Sequence, residues 1–122
     1  MPLMIDPALI PAVAARFKVL GDPGRLAILS ALQPGEKSVG DLVAAIGRRQ
    51  PNVSQNLAAL TQARFVAMRR EGKRVFYRVA DPCLAQICDA VCESLAGRMR
   101  EEQKLMKKLE GDRRRTAAGA RR

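Results

Sequence analysis

Hydrophobic residues recur every three or four positions in five segments of the chain, a spacing that places them on one face of an α-helix. We predict helices that begin near residues 7, 23, 38, 50 and 82, the last of them running to about Leu109. Their apolar faces, in chain order, are Leu9, Val13, Phe17 and Leu20; Leu26, Leu29 and Leu32; Leu42, Val43 and Ile46; Val53, Leu57 and Leu60; and Leu84, Ile87, Val91 and Leu95.

Capping residues mark where several of these helices begin. Asp6, Asp22 and Asp81 each precede a proline. An Asp side chain accepts hydrogen bonds from exposed backbone N–H groups, and Pro suits the first helical position. Ser38 and Asp41 resemble a capping box in which Asp replaces the usual Glu.

The third and fourth predicted helices form the most informative pattern. They are short and are separated at Gly47, and the second is polar in its N-terminal half, as in a helix-turn-helix whose second helix enters the DNA major groove. A basic β-hairpin with a Glu71-Gly72 turn follows. The sequence therefore predicts a mainly α fold with a β-hairpin wing, a winged helix-turn-helix. We assign residues 1–110 to one DNA-binding and dimerisation domain and residues 111–122 to a basic, disordered tail.

Composition narrows the function classes. The chain of 122 residues suffices for one domain, and its net charge of +10 indicates a polyanionic partner. Residues 98–122 carry ten Lys or Arg against four Asp or Glu, so the tail either is solvated or contacts the DNA backbone. Without histidine or a Gly-rich phosphate loop, no enzyme activity is expected. No signal peptide and no membrane-spanning run are recognisable, so we expect a cytoplasmic protein without a membrane partner.

The fourth helix and the hairpin supply the candidate DNA contacts. Amide side chains can bind adenine through two hydrogen bonds, and Ser can bond several bases. We predict base contacts from Gln50, Asn52, Ser54 and Gln55. We predict phosphate or minor-groove contacts from Arg48, Arg49, Asn56, Arg69, Arg70, Lys73 and Arg74. The alternative for any one of them is an ordinary solvated surface residue.

The last predicted helix is longer than the rest of the domain needs, and its apolar stripe extends past any surface that a small winged helix offers. The same helix of a second subunit could cover it, and a twofold dimer suits two DNA half-sites about one turn apart. We therefore predict a homodimer bound to a double-stranded DNA operator. The predicted dimer interface is Leu84, Ile87, Val91 and Leu95, continued weakly by Met99, Leu105 and Leu109.

Three motifs lie in order along the chain: residues 17–29 (FKVLGDPGRLAIL), residues 53–60 (VSQNLAAL) and residues 69–77 (RREGKRVFY). At this spacing they resemble the opening motif, recognition helix and wing of the ArsR/SmtB family of bacterial winged-helix repressors. The resemblance covers about residues 14–95. It implies a homodimer joined by its first and last helices, and repression relieved by a metal ion or another effector. Gly24 stands where Thr is usual, and Arg64-Phe65 replaces the usual Gly-Leu.

The family's usual metal sites do not fit this chain. Many members carry a Cys-x-Cys box on the helix before the recognition helix, where residues 37–42 (KSVGDL) contain no cysteine. Other members bind zinc, nickel or cobalt on the last helix through Asp and His, but the chain has no His. Some members instead place a cysteine trio at this end of the chain. The resemblance therefore makes an arsenic-sensing repressor the natural expectation.

All three cysteines, Cys83, Cys88 and Cys92, fall on the last predicted helix. Cys88 and Cys92 are one turn apart and could both bind one soft ion, such as arsenite. Cys83 lies about 140° around the helix from Cys88 and could join only if the first turn near Pro82 unwinds or if the ion sits off the end of the helix. We predict a repressor that requires no cofactor and is released from its operator by such a thiophile. The alternatives are a thiol redox or persulfide sensor, a constitutive DNA-binding regulator in which Cys88 is a small core residue, and a protein-interaction winged helix.

Overall fold

The computed structural model describes residues 4–120. In chain order its elements are a 3₁₀ turn (Pro7–Leu9), α1 (Ile10–Leu20), α2 (Pro23–Leu32), β1 (Lys37–Ser38), α3 (Val39–Ile46), α4 (Gln50–Gln62), β2 (Val66–Glu71), β3 (Arg74–Val79) and α5 (Leu84–Ala120). The chain divides after Pro82 into a first unit, which holds α1 to α4 and the sheet, and a second unit formed by α5. The order helix, turn, helix and hairpin confirms the predicted winged helix-turn-helix.

The predicted caps begin the 3₁₀ turn, α2 and α3. Asp6 accepts a hydrogen bond from the backbone N–H two residues on, at 2.9 Å, and Asp22 accepts from the N–H of Arg25 at 3.1 Å. Ser38 and Asp41 form the capping box, because each side chain accepts from the other's backbone N–H at 3.1 Å. The hydrogen bonds from Ser38 lower the pKa of Asp41. Local sequence alone therefore fixes where these elements begin.

Asp81, from the third Asp-Pro pair, binds α1 within the first unit. The Asp81 carboxylate accepts from Nη2 of Arg16 in α1 at 2.7 Å, and α5 begins only at Leu84, two residues later than predicted. Arg16 also donates to the carbonyl of Ala63 at 3.2 Å and lies 4.2 Å from the centre of the Phe65 ring. One guanidinium thus links α1 to the turn after α4 and to the end of the hairpin.

The sheet is antiparallel, in the order β1-β3-β2. β1 pairs Lys37 with Tyr77 and was not predicted, because two residues are too short to show an alternating pattern. β2 and β3 form the wing and are joined by Gly72-Lys73. Gly72 has a φ of +60°, as the first position of a type II′ turn requires. The predicted hairpin is therefore confirmed, with its turn one residue later than the predicted Glu71-Gly72.

The core of the first unit lies between the helices and the base of the wing. Its most completely buried side chains are Ile28, Leu29, Leu32, Leu42, Val53, Leu57, Leu60, Phe65 and Val66. α4 packs against α2, α3 and β2. Phe17 and Leu26, which lie on the predicted apolar faces of the first two helices, are both exposed within one chain. The buried face of α2 is therefore rotated from the predicted one, away from Leu26 and toward Gly24 and Ile28.

Two departures from the family motifs have structural counterparts. Arg64 follows α4 with a φ of 63°, a left-handed conformation that a glycine adopts more easily. Gly24 is buried at the second position of α2. A Cβ atom there would lie 2.7 Å from both Nη1 of Arg48 and Nδ2 of Asn56. Arg64 therefore strains the turn after α4, whereas Gly24 leaves space beside α4.

α5 extends for 37 residues, from Leu84 to Ala120. The structure therefore corrects the disorder expected for residues 111–120; residues 121–122 lie outside the described part. The segment is rich in Arg and Ala, which are strong helix formers, and Gly111 and Gly119 do not interrupt it. Despite its length α5 is highly charged, and no helix within residues 4–120 is long and apolar enough to cross a membrane.

The apolar stripe of α5 differs from its prediction at one end. Leu84 is fully buried within the chain, so it offers no surface to a partner. Ile87, Val91 and Leu95 are exposed, as are four apolar side chains farther along the helix. These four are Met99, Leu105, Met106 and Leu109. The exposed stripe therefore begins at Ile87 and extends past Leu95.

Candidate nucleic-acid interface and thiol sites

The turn between α3 and α4 sets the direction of α4. Gly47 ends α3 with a φ of +74°, and its N–H donates to the carbonyl of Val43 at 2.9 Å. Arg49 is the N-cap of α4, and Pro51 lies in its first turn, where a missing N–H is tolerated. The unpaired N–H groups of a helix N-terminus and the positive end of its dipole favour a phosphate.

α4 buries one face and exposes another. Val53, Leu57 and Leu60 are fully buried against the core. The four residues predicted to read bases are all exposed, as are the two arginines before the helix. They are Gln50, Asn52, Ser54 and Gln55, preceded by Arg48 and Arg49. α4 therefore presents an amide-rich surface with a basic border.

Asn56 does not belong to that surface. The sequence predicted a phosphate contact, but the residue is only 9% exposed. Its Nδ2 donates to Oδ1 of Asn52 at 3.2 Å, on the side of α4 that faces Gly24 of α2. The helical phase explains this burial, since position 56 lies beside the buried Val53 and Leu57. Asn56 therefore supports the neighbouring amide and offers little surface to a phosphate.

The basic residues of the wing differ in what they contact. Arg69 donates to Glu36 at 2.6 to 2.9 Å and to Glu71 at 2.9 Å, and its guanidinium lies 4.8 Å from the centre of the Phe76 ring. These contacts raise the pKa of Arg69, and the hydrogen bond from Arg69 lowers that of Glu36. Arg69 is thus engaged within the fold, and its predicted contact with DNA stays a prediction. The other exposed basic side chains of the wing are Arg70, Lys73, Arg74 and Arg78, and the guanidinium of Arg74 lies 5.1 Å from the centre of the same Phe76 ring.

Glu36 and Gly24 were not among the predicted site residues. Glu36 immediately precedes β1 and holds Arg69 of β2, 33 residues away. No local pattern indicates a pair at that separation. Gly24 was noted only as a departure from the family motif, although its missing side chain makes room for two residues of the DNA-reading region.

The three cysteines form no disulfide, and they are not gathered together. Cys83 precedes α5, and its carbonyl accepts from the N–H of Ile87 at 3.1 Å. Cys88 is half-buried and Cys92 is exposed, one turn apart on α5. Burial, followed by the nearby Cys92 and Asp89, raises the pKa of the Cys88 thiol. Within the described residues, no three Cys, Asp or Glu side chains are close enough to hold a metal ion.

Comparison with known proteins shows which regulators this chain resembles. Residues 22–67 match the family model described as "Bacterial regulatory protein, arsR family". The chain is 43% identical over 79 residues to the biofilm growth-associated repressor of Agrobacterium fabrum, a match that covers 65% of this chain and 68% of the relative. It is 38% identical to a probable mercury resistance operon repressor of Streptomyces lividans, over 66% of each chain.

A solved structure gives the same fold. It is the homodimeric winged helix-turn-helix DNA-binding domain of a possible ArsR-family regulator from Mycobacterium bovis, determined by NMR. The two chains are 35% identical and superpose with a TM-score of 0.64, over 80% of this chain and 91% of the other.

Proposed function

Because the chain belongs to the ArsR family of bacterial regulators, we propose that it is a homodimeric transcriptional repressor that a thiophilic ion releases from its operator. DNA-binding repression rests on the family and on named repressors among the relatives. The observation that carries the proposal is the exposed amide surface of α4, bordered by Arg48 and Arg49. Neither family nor fold supplies a catalytic group, so the chain acts by binding.

DNA reading divides between α4 and the wing. Gln50, Ser54 and Gln55 project from the N-terminal half of α4, the part of a recognition helix that meets base edges. Lys73 and Arg74, at the tip of the wing, supply positive charge for phosphates. The net charge of +10 favours a salt-sensitive affinity for DNA.

Two exposed apolar faces support dimerisation. Val91 on α5 is 53% exposed and Phe17 on α1 is 57% exposed, so neither is covered within one chain. An exposed apolar face on a helix of this kind marks an interaction site. The M. bovis domain is homodimeric. We assign the interface to Ile87, Val91 and Leu95 and exclude Leu84, which is already buried.

The effector site is proposed on the thiols of α5. Cys88 and Cys92 lie at i and i+4, so one soft ion can bridge their sulfurs without a change in the helix. A disulfide between them fits poorly, because Cβ atoms at this spacing are about 5–6 Å apart whereas a disulfide needs about 3.5–4.5 Å. Cys83 precedes the first helical residue, where the chain can move toward Cys88 more easily than within the helix. Trivalent arsenic, which binds three thiolates, would draw it there.

Operator release by arsenite tests this function. A labelled duplex from the DNA upstream of the chain's own gene is bound under reducing conditions, and fluorescence anisotropy follows release. We expect wild type to lose affinity about 5- to 150-fold, the usual range of allosteric coupling. Replacing Cys88 or Cys92 by Ser should largely abolish release, whereas Cys83→Ser should reduce it in part.

The triple serine variant is the control, because it should bind the operator with unchanged affinity. Release that persists in this variant contradicts the thiol site. An arsenite-insensitive wild type that peroxide or polysulfide releases supports the redox alternative. A wild type that no thiol reagent releases indicates a constitutive DNA-binding regulator.

A further inference from the structure

Four residues form a polar cluster where α2 meets the start of α4: Gly24, Arg48, Asn52 and Asn56. Oδ1 of Asn52 accepts from Nδ2 of Asn56 at 3.2 Å and from Nη1 of Arg48 at 3.5 Å. Asn56 is buried, whereas Arg48 and Asn52 are exposed. The cluster therefore joins a buried amide to one that lies on the DNA-reading surface.

The arginine determines which way the Asn52 amide points. A guanidinium has only donors, so the atom of Asn52 that faces Arg48 must be the oxygen. A side-chain amide oxygen has two lone pairs, and here two donors use them. The Asn52 Nδ2 group is then the part left to face outward, as a donor.

Gly24 makes the cluster possible. A Cβ atom at this position would lie 2.7 Å from Nη1 of Arg48, 2.7 Å from Nδ2 of Asn56 and 3.0 Å from Oδ2 of Asp22. Any side chain at position 24 would displace both donors to the Asn52 oxygen. The backbone does not itself require glycine here, because Gly24 lies within helix α2 and is not among the positive-φ glycines. The missing side chain therefore serves the packing of the cluster.

We infer that Asn52 reads DNA as a donor only, and that Gly24 and Asn56 are positioning residues that hold it in that state. A bidentate bond to adenine needs both a donor and an acceptor from the amide, and the acceptor is already engaged. Nδ2 can instead donate to O6 or N7 of guanine or to O4 of thymine, whereas at adenine it would meet N7 alone and leave the neighbouring N6–H donor without an acceptor on Asn52. This inference rests on the proposed reading of DNA by α4.

Selection from a randomised duplex pool, followed by sequencing, tests the inference. Wild type is compared with Asn52→Ala, which identifies the base pair that depends on this residue. We expect guanine or thymine to be preferred there by wild type. Gly24→Ala and Asn56→Ala should change that preference by about fivefold or more at this base pair alone, because the freed Oδ1 can then accept from adenine.

Gly40→Ala is a matched control. Gly40 also occupies the second position of a helix, α3, but its nearest neighbour to an added Cβ is Oγ of Ser38 at 3.9 Å. This variant should leave every base preference unchanged. Should Gly24→Ala or Asn56→Ala fail to fold, Arg48→Ala removes one of the two donors from an exposed position and should shift the same base pair.

Three results overturn the inference. Adenine selected by wild type at the Asn52-dependent pair contradicts donor-only reading. Gly24→Ala and Arg48→Ala pools identical in base preference to that of wild type contradict the positioning role. A wild type that enriches no sequence contradicts DNA reading itself, and the inference with it, which distinguishes that failure from the other two.

Discussion

The DNA-reading region and α5 differ in how much of each a single chain completes. α4 buries Val53, Leu57 and Leu60 within its own chain, and the wing is held by Arg69 and Glu36. Among the described side chains of α5, only Leu84 is buried, and the following apolar stripe is exposed. The first region is therefore preorganised in the monomer, whereas the second is incomplete until something covers it. The difference suggests that dimerisation, and not folding, is where an effector can act.

The largest expected effect comes from a charge in the stripe. Val91→Asp should raise the dimer dissociation constant at least about 100-fold, because an unpaired buried charge costs several kcal/mol. Operator binding should fall with it, while the fold of the first unit persists. Sedimentation equilibrium and anisotropy measure the two effects. Ala90→Asp adds the same charge to an exposed position about 100° around the helix and should change neither. A wild type that is monomeric at micromolar concentration contradicts the assignment.

The next largest effects are expected from truncating one apolar side chain in each region. Leu57→Ala should lower the free energy of unfolding by about 2–5 kcal/mol at any protein concentration, because it leaves a cavity in the core. Leu95→Ala should instead act through the dimer, so its effect on thermal unfolding should depend on protein concentration. Calorimetry at two concentrations makes the comparison. Equal, concentration-independent losses for both variants would mean that α5 is stabilised within one chain.

Within the DNA-reading region, specificity and affinity should separate. Gln55→Ala should relax sequence choice by about 1–3 kcal/mol at one base pair. Lys73→Ala should weaken binding to all sequences alike and reduce the salt slope by about 1. Titrations of operator variants at several salt concentrations measure both. If Gln55→Ala leaves the preference among operator variants intact, the recognition surface has been placed wrongly.

The smallest expected effect concerns the attachment of the wing. The hydrogen bond from Arg69 lowers the pKa of Glu36, so the pair stabilises the fold above the ordinary glutamate pKa of about 4.3 and loses that stabilisation as the pH falls through the lower folded-state value. Glu36→Gln should therefore lower the unfolding midpoint slightly at pH 7 and by less at pH 3. Glu102→Gln, an exposed change on α5, should leave it unaltered at both. A Glu36→Gln effect that is equal at the two pH values contradicts the ion pair.

The sequence predicted features that depend on near neighbours and missed those that depend on distant ones. The capping box of Ser38 and Asp41 and the turn at Gly47 are local, and both are confirmed. The pairing of Glu36 with Arg69 and the approach of Gly24 to Asn56 arise from tertiary packing. Consequently Arg69 and Asn56 were both predicted to contact DNA, although the fold engages one and buries the other.

The positions of the cysteines were likewise predicted only as far as local sequence spacing determines them. Spacing alone indicated that Cys88 and Cys92 share a face, and the structure places them one turn apart on α5. The position of Cys83 depends on where α5 begins, and no cap pattern predicted a start at Leu84. Likewise, the helix through residues 111–120 follows from the propensities of Arg and Ala, which the abundance of charge obscured.

Reciprocal binding tests the central claim, that thiols on α5 control DNA reading by α4. Thermodynamic linkage requires that the operator weaken arsenite binding by the same factor by which arsenite weakens operator binding. Calorimetric titration of arsenite into the reduced protein, alone and with saturating operator, measures that factor. The account predicts a loss of arsenite affinity of about 5- to 150-fold, equal to the loss of operator affinity. An arsenite affinity that is the same with and without operator would contradict it.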